Sequence, residues 1–274
     1  MKSPFSRALI LAGAIAAYAF LLLPLIVVIG ASFDSAAAAY FRFPPQAVSL
    51  RWYLDLSTKY WSALVLSFTI ALCAGIAAVI IGALAALGIA RGTLRGSAVL
   101  ETYFRLPLQI PFVVTGVVFL QFYYLLLDTF GLRLLGSLPG YVIAHAFFCI
   151  PYAVGAIGAV ITAGLDRIEN AARVAGATEW RVFRRITLPA LKPGVFAGFF
   201  FAFIVSFGDV PVSVFLGSGG TAPLPVEIFQ TLQFDFDPRV LAISSIVVVI
   251  SSTFIVATQR LAGLDLVLPG SAAR

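Results

Sequence analysis

Charged residues are scarce in this chain of 274 residues, because Asp, Glu, Lys and Arg together make up 11% of it. In soluble globular domains these four residues account for about a quarter of the sequence. Hydrophobic residues reach 61% here, and the mean hydropathy is +1.04. This composition excludes an ordinary soluble domain and indicates an integral membrane protein.

Residues that bind metals or form disulfides are equally few. Cys73 and Cys149 both fall inside apolar runs without a CxxC pattern, so neither a disulfide framework nor a zinc site is expected. His145 is the one histidine and has no Glu-x-x-His pattern around it, so we expect a packed or cavity-lining side chain. Paired carboxylates and serine–histidine arrangements are absent too, and the sequence therefore gives no support to an intramembrane enzyme.

Long apolar runs are what the sequence has instead. Strand-like alternation is absent, and an apolar run of about 20 residues crosses a bilayer as a helix. We therefore predict an all-α membrane protein, a single transmembrane domain over residues 1–274 with six membrane-spanning helices. The predicted spans are about 8–31, 62–90, 107–127, 138–164, 194–217 and 240–262.

Two of these spans have features of their own. The first is too long for the apolar part of a cleaved signal peptide, so we expect it to be retained as a helix. The second carries small residues at every fourth position, which would let another helix approach closely along one face. These small residues are Ala74, Ala78, Gly82, Ala86 and Ala90.

The basic residues predict the orientation in the membrane. With six spans, 13 of the 18 Lys and Arg residues fall on one side and 5 on the other. The positive-inside rule then places both termini and the loop of residues 166–192 in the cytoplasm. Because the charges sit at the ends of apolar runs, the net charge of +6 does not indicate nucleic-acid binding.

Residues 166–192, called here the basic segment, form the longest polar stretch. Its alanines predict a helix from Arg167 to Arg185, and Pro189 and Pro193 are expected to stop it. One face of this helix would be small and apolar, and the opposite face basic, so it could enter a groove on a protein partner or lie on anionic lipid. The apolar face comprises Ile168, Ala171, Ala172, Ala175, Gly176, Trp180 and Phe183.

The spacing within the basic segment favours the protein partner. Ala171-Ala172 is followed by three residues, Gly176, nine residues and then Ile186-x-Leu188-Pro189. This pattern resembles the EAA motif in the cytoplasmic loop of permease subunits of binding-protein-dependent ABC importers. That motif reads Glu-Ala-Ala, three residues, Gly, nine residues, Ile-x-Leu-Pro. The chain departs from it at the first position, where Asn170 replaces the family's Glu and Glu169 lies one residue earlier.

The resemblance implies a coupling helix between the fourth and fifth spans that inserts into a cytoplasmic ATPase. The residues that it assigns to this contact are Glu169, Asn170, Ala171, Ala172, Arg173, Gly176 and Ala177. It also implies a bacterial inner (cytoplasmic) membrane protein whose partners, besides the lipid bilayer, are a second permease subunit, two ATPase subunits and a periplasmic binding protein. The sequence has no Gly-x-x-x-x-Gly-Lys-Ser/Thr phosphate loop, so we expect this chain to bind no cofactor and to leave ATP and magnesium to the ATPase subunits.

One carboxylate, that of Asp209, lies near the middle of the predicted fifth span. A charge there costs at least about 2.5–3.5 kcal/mol, so we expect it to face the bundle interior or a translocation path, together with Ser206, Phe207 and Pro211. This stretch is similar to the polyamine-type branch of the permease family, which often has two adjacent acids where this chain has Gly208-Asp209. The resemblance and the counter-charge of a carboxylate favour a polyamine or similar cationic amine as the substrate. Aminophosphonates and opine-like compounds remain open.

Two other classes of function remain open. An ATP-independent secondary transporter or channel would use Asp209 as a proton or cation site. That class predicts inverted repeats, and the sequence contains no convincing repeat. A membrane scaffold without transport is the second alternative. The importer permease is preferred because it gives the basic segment a partner.

Overall fold

The structure is a computed structural model that describes residues 4–35, 42–91, 96–161, 163–217, 220, 222–234 and 236–262. Within these ranges the chain is all-helical, apart from turns and an isolated antiparallel bridge between Asp34 and Val48. A 3₁₀ turn covers Leu106–Gln109 and a π-helical turn covers Phe183–Thr187. The α-helices are α1 (Pro4–Ala31), α2 (Arg51–Leu54), α3 (Thr58–Ala90), α4 (Ser97–Arg105), α5 (Phe112–Phe130), α6 (Leu138–Gly158), α7 (Ala163–Val174), α8 (Glu179–Val182), α9 (Leu188–Phe207), α10 (Pro211–Leu216), α11 (Leu224–Phe234) and α12 (Arg239–Ala262).

Among the described residues, five helical stretches are long and apolar enough to cross a membrane. They are Leu9–Ala31, Thr58–Ala90, Phe112–Phe130, Leu138–Gly158 and Glu179–Phe207. The predicted sixth span lies on α12, whose described apolar part, Arg239–Thr253, is shorter than the ~20 residues that a span needs. The sixth span therefore stays a prediction.

Two helices begin or end elsewhere than their predicted spans. α5 begins at Phe112 rather than near residue 107, because Pro107 lies in the 3₁₀ turn and Pro111 is the extended N-cap residue of the helix. α6 contains Pro151 without interruption and ends at Gly158 rather than near residue 164. Tighter turn bonds follow at once, in which Ile161 N donates to the Gly158 carbonyl oxygen over 3.1 Å.

The prediction for the fifth span needs a larger correction. Pro189 and Pro193 do not stop the helix, since α8, the π-helical turn and α9 run without a break from Glu179 to Phe207. A membrane helix tolerates proline where a π turn or a neighbouring group satisfies the freed carbonyls. The break comes later, between Phe207 and Pro211, and it separates α9 from the short helix α10.

The contacts divide the chain into two compact units, and the prediction of one transmembrane domain stays a prediction. One unit comprises Met1–Trp61 and Ile228–Gly263. In it α12 packs against α1 and α2. The Trp52 indole of α2 is buried and donates to the Asp34 carbonyl oxygen over 2.7 Å, and Arg239 Nη2 lies 2.5 Å from Asp55 Oδ2.

The other unit comprises Ser62–Glu227 and Leu264–Arg274, and its described part contains the pair α6 and α9 at its centre. Small residues bring the helices close, as the sequence predicts for α3. Ala74, Ala78 and Ala86 are buried, and a Cβ built on Gly82 would come within 2.7 Å of the Ala153 Cβ of α6. The last residue of the predicted stripe, Ala90, is exposed.

Substituting Gly82 with Ala is expected to lower the free energy of unfolding in detergent by about 1–3 kcal/mol, because the new methyl group meets backbone as well as the Ala153 side chain. Gly88→Ala is the matched control in the same helix, since its Cβ would meet nothing within 4 Å. Alanine there should cost nothing and add up to about 1 kcal/mol of helix propensity. Denaturant titrations followed by circular dichroism measure both variants, and equal stabilities would contradict close packing at Gly82.

Candidate functional site

Helix α7 carries the first residues of the basic segment and has one buried face and one exposed face. Leu165 and Glu169 are buried against the chain, whereas Ile168 and Ala171 on other faces are exposed. The following residues continue the exposed apolar surface, since Val174 is 90% exposed and Trp180 is 67% exposed. Of the predicted apolar face, Ala172 and Phe183 are half-buried and the remainder is exposed. The described part of this unit therefore leaves an apolar surface of α7 and α8 open.

The predicted continuous helix from Arg167 to Arg185 is wrong, because α7 ends at Val174 and α8 starts at Glu179. Gly176 lies between them with a φ of +87°. Its amide donates to the Arg173 carbonyl oxygen over 2.9 Å, and the Ala177 amide donates to that of Ala172 over 3.0 Å. This pair of bonds is the Schellman C-cap, which favours glycine at the left-handed position. The glycine of the spacing pattern thus ends the helix.

The carboxylate of Glu169 faces the interior of the chain. The Thr187 hydroxyl donates to its Oε1, which also lies 3.3 Å from Arg91 Nη2, while its Oε2 lies 3.4 Å from Arg173 Nη2. The Glu169 side chain is 4% exposed, against 45% for that of Arg91. Glu169 therefore joins the end of α3, helix α7 and the π-helical turn. Sequence reasoning did not identify Arg91 and Thr187 as partners of Glu169, because both are distant from it along the chain and no sequence pattern relates them to it.

Asn170, the residue that departs from the family pattern, is exposed beside Glu169. Its Oδ1 accepts a hydrogen bond of 2.8 Å from Arg173 Nη1. The same guanidinium donates through Nε to Glu179 over 2.7 Å, and this hydrogen bond raises the pKa of Arg173 above its usual range. Arg173 thus connects α7 to α8 across the glycine break. An open groove of about 310 Å³ lies beside it, lined by Arg91, Arg173, Glu179, Trp180, Val182, Phe183 and Thr187.

Asp209 lies in the break between α9 and α10, so the helix of the predicted fifth span ends two residues before it. Its Oδ2 accepts from the Ser213 amide over 2.8 Å and from the Ser213 hydroxyl over 2.9 Å, and its Oδ1 accepts from the Val212 amide over 3.4 Å. These are free N–H groups of the first turn of α10, which begins at Pro211. A carboxylate is a favourable partner for such groups. Asp209 is buried.

His145 of α6 connects both sides of this break. Its Nδ1 lies 2.8 Å from the Ser206 hydroxyl of α9, and its Nε2 lies 3.1 Å from the Ser213 hydroxyl and 3.8 Å from Asp209 Oδ2. We call His145, Ser206, Asp209 and Ser213 the core polar cluster. All four are buried, as expected for a packed histidine. One signal in the sequence was missed, because an acidic residue directly before Val210-Pro211 is well placed to accept from the free amides of a helix that starts at Pro211.

Two predicted path residues lie beside the core polar cluster without joining it. Phe207 is half-buried, and its ring stacks on an aromatic ring one turn earlier in α9 rather than on a polar group. The contact is with Phe203, at a centroid distance of 5.8 Å and an interplanar angle of 14°. Pro211 is half-buried at the start of α10. The structure thus brings together Ser206 and Asp209 from the predicted path set.

Comparison with protein families decides the class of this chain. Residues 78–264, more than half of the sequence, match the family described as "Binding-protein-dependent transport system inner membrane component". The chain belongs to this family. This permease is therefore a multi-pass inner-membrane transport component rather than an enzyme.

Curated relatives of this permease cover most of its length. The putrescine transport system permease protein PotI of Escherichia coli (strain K12) is 32% identical over 251 residues, which are 90% of this chain and 86% of PotI. The spermidine/putrescine transport system permease protein PotC of the same strain is 29% identical over 249 residues, 90% of this chain and 91% of PotC. The molybdenum transport system permease protein ModB of Mycobacterium bovis is 33% identical over 233 residues, 79% of this chain and 88% of ModB.

A solved structure has the same fold as this permease. It is described as "Crystal structure of an amino acid ABC transporter with histidines" and superimposes with a TM-score of 0.56 at 20% identity. The superposition covers 80% of this chain and 98% of that chain. The helical architecture described above is therefore similar to the fold of an ABC transporter permease.

Replacing Gly176 with Ala should destabilise the end of α7, because a left-handed residue other than glycine costs roughly 1–2 kcal/mol. Amide hydrogen exchange at Gly176 and Ala177, measured by mass spectrometry of peptides, should accelerate about tenfold. Gly176→Asn is the control, since asparagine is larger than alanine yet tolerates this conformation better. Exchange in the asparagine variant that is as fast as in the alanine variant would contradict a conformational role.

Proposed function

We propose that this chain is the permease subunit of an ATP-driven importer for putrescine or a related polyamine. The observation that carries the proposal is the 32% identity to the putrescine permease PotI, which extends over 90% of this chain. The proposed assembly contains a second permease subunit, two cytoplasmic ATPase subunits that bind ATP and magnesium, and a periplasmic binding protein. The bilayer surrounds six spans, with both termini in the cytoplasm, in keeping with the 13 of 18 basic residues on that side.

The basic segment is proposed to be the coupling helix that docks on an ATPase subunit. The exposed apolar surface around Ile168, Val174 and Trp180 supports this, because a protein groove that covers it removes apolar area from water. Arg181, Arg184 and Arg185 are exposed next to it and would meet acidic groups of the partner. Glu169 is buried, and the partner contact is assigned to the other predicted residues, all of them exposed or half-buried: Asn170, Ala171, Ala172, Arg173, Gly176 and Ala177.

The substrate is proposed to pass near the break between α9 and α10, where Asp209 supplies a negative charge. Its two oxygens are not equally engaged. Oδ2 accepts two hydrogen bonds of 2.8 and 2.9 Å, whereas Oδ1 accepts one long bond of 3.4 Å. An ammonium group of a polyamine would therefore donate to Oδ1 once alternation of the permease opens the break to a path.

A second candidate function is an ATP-independent transporter or channel in which Asp209 is a proton or cation site. The buried pair of His145 Nε2 and Asp209 Oδ2 at 3.8 Å favours it, since two titratable groups inside a membrane often carry protons. Uptake into vesicles separates the two candidates. The importer requires ATP and the ATPase subunits, and the alternative requires only an ion gradient.

Ile168→Asp is expected to weaken association with the cognate ATPase subunit at least about tenfold, because a buried unpaired carboxylate would lie in the interface. Co-purification in detergent and titration by biolayer interferometry measure this loss. Leu132→Asp is the matched control, because Leu132 is similarly exposed in the short connection between α5 and α6 on the predicted outer side. Unchanged affinity of the Ile168 variant would refute docking through this surface.

Asp209→Asn is expected to lower uptake of radiolabelled putrescine by the reconstituted complex roughly tenfold or more, because a charged hydrogen bond to the amine is lost. Assembly should be unchanged, since the amide oxygen still accepts from the first turn of α10. Ser213→Ala is the control that removes a hydroxyl donor to Asp209 but keeps the charge. If both variants reduce uptake equally, the carboxylate acts as a helix cap and not as a substrate contact.

A further inference from the structure

Glu169 differs from the rest of the proposed ATPase contact in the direction of its side chain. Its neighbours Ile168 and Asn170 are exposed, but its own carboxylate is almost fully enclosed by this chain. Three donors surround it: the hydroxyl of Thr187, Arg91 Nη2 at 3.3 Å and Arg173 Nη2 at 3.4 Å. A residue in this arrangement has no surface left for a docking partner.

The donors belong to three different elements. Arg173 lies on α7 itself, Arg91 directly follows α3, and Thr187 is the last residue of the π-helical turn that leads into α9. Both α3 and α9 belong to helical stretches of membrane-spanning length. A single carboxylate therefore holds the surface of α7 to the ends of two spans.

In the described part of the chain, α7 does not continue into α8 and α9 as one helix. Gly176 ends α7 in the left-handed conformation, so a movement of α7 does not pass to α8 along a continuous helix. Charge-assisted hydrogen bonds are stronger and more directional than neutral ones, particularly where one partner is buried. The contacts of Glu169 are therefore suited to transmit a movement of α7 to α3 and α9, whereas apolar contacts would let the helices slide past one another.

We propose that Glu169 is a positioning residue that fastens α7 to the ends of α3 and α9, so that movement of a docked ATPase reaches the membrane helices. This inference rests on the proposed function, and it differs from a direct ATPase contact of Glu169. Its signature is uncoupling. Loss of the carboxylate leaves docking and ATP hydrolysis in place and reduces the substrate moved per ATP.

The test uses the complete complex of permease subunits, ATPase subunits and binding protein in liposomes. Putrescine uptake and phosphate release are measured in the same vesicles. For Glu169→Gln, which keeps the shape but removes the charge, we expect unchanged co-purification with the ATPase, a rate of hydrolysis within twofold of wild type, and about tenfold less uptake per ATP. Glu101→Gln is the matched control, because Glu101 forms an exposed pair with Arg105 at 2.6 Å on α4, and its coupling should be unchanged.

A second variant covers the case in which Glu169→Gln does not fold. Arg91→Gln removes the half-exposed member of the pair and leaves Thr187 and Arg173 on the carboxylate, so uptake per ATP should fall about threefold. Wild-type uptake per ATP in both variants overturns the proposal, and so does loss of ATPase association in Glu169→Gln, which would make Glu169 a docking contact. A wild-type chain that does not bind the ATPase overturns the proposed function itself and this inference with it.

A readout that needs no substrate checks the attachment directly. Spin labels at Val174 of α7 and Leu84 of α3 lie at exposed positions, and Cys73 and Cys149 are replaced by serine. The distance distribution between the labels should be narrow in the parent chain and clearly broader with Glu169→Gln. Equal widths would contradict the attachment even if putrescine proves not to be the substrate.

Discussion

Close packing of α3 and α9 against Ala153 of α6 is the contact on which the other contacts among these three helices depend. A Cβ on Gly82 of α3 would come within 2.7 Å of the Ala153 Cβ, and one on Gly198 of α9 would lie 3.0 Å from the Ala153 Cα. Two helices therefore press on the same residue of a third. Helices in lipid gain nothing by hiding apolar surface from each other, so close backbones and interhelical hydrogen bonds provide the attraction. At this separation the Cys149 thiol donates to the Ala202 carbonyl oxygen over 3.2 Å, and His145 reaches Ser206.

The two polar sites of the permease lie in different surroundings and suit different tasks. Ion pairs at the exposed part of the basic segment are weakened by water and salt, so they exchange partners at low cost. Hydrogen bonds of the core polar cluster are sealed from solvent and hold a fixed geometry, because an unmade bond there is costly. Glu169 combines the two, since a buried carboxylate meets the half-exposed Arg91 and Arg173.

Hydropathy was sufficient to predict the helical class, because the bilayer permits few structures. The residue spacing within the basic segment predicted the family by resemblance. The stripe of small residues on α3 was also predictable, since small residues at every fourth position let another helix come close to that face. Helix ends were less so. Pro189 and Pro193 lie within the uninterrupted helical stretch Glu179–Phe207, and Pro189 stands in the first turn of α9, directly after the π-helical turn, whereas Gly176 did end α7. The inward direction of Glu169 and its pairing with Arg91 depend on how distant segments fold together, and so does the approach of His145 to Asp209. No local pattern encodes these contacts.

The π-helical turn at Phe183–Thr187 fixes the rotation of α9 about its own axis. Such a turn contains one residue more than an α-helical turn, and each residue of an α-helix advances by about 100°. Without the extra residue, Gly198 would rotate away from Ala153 and Ser206 away from His145. The π-helical turn before α9 therefore determines which face of α9 is buried. The same turn carries Arg184 and Arg185. A one-residue deletion there would act as a twist on every contact that α9 makes.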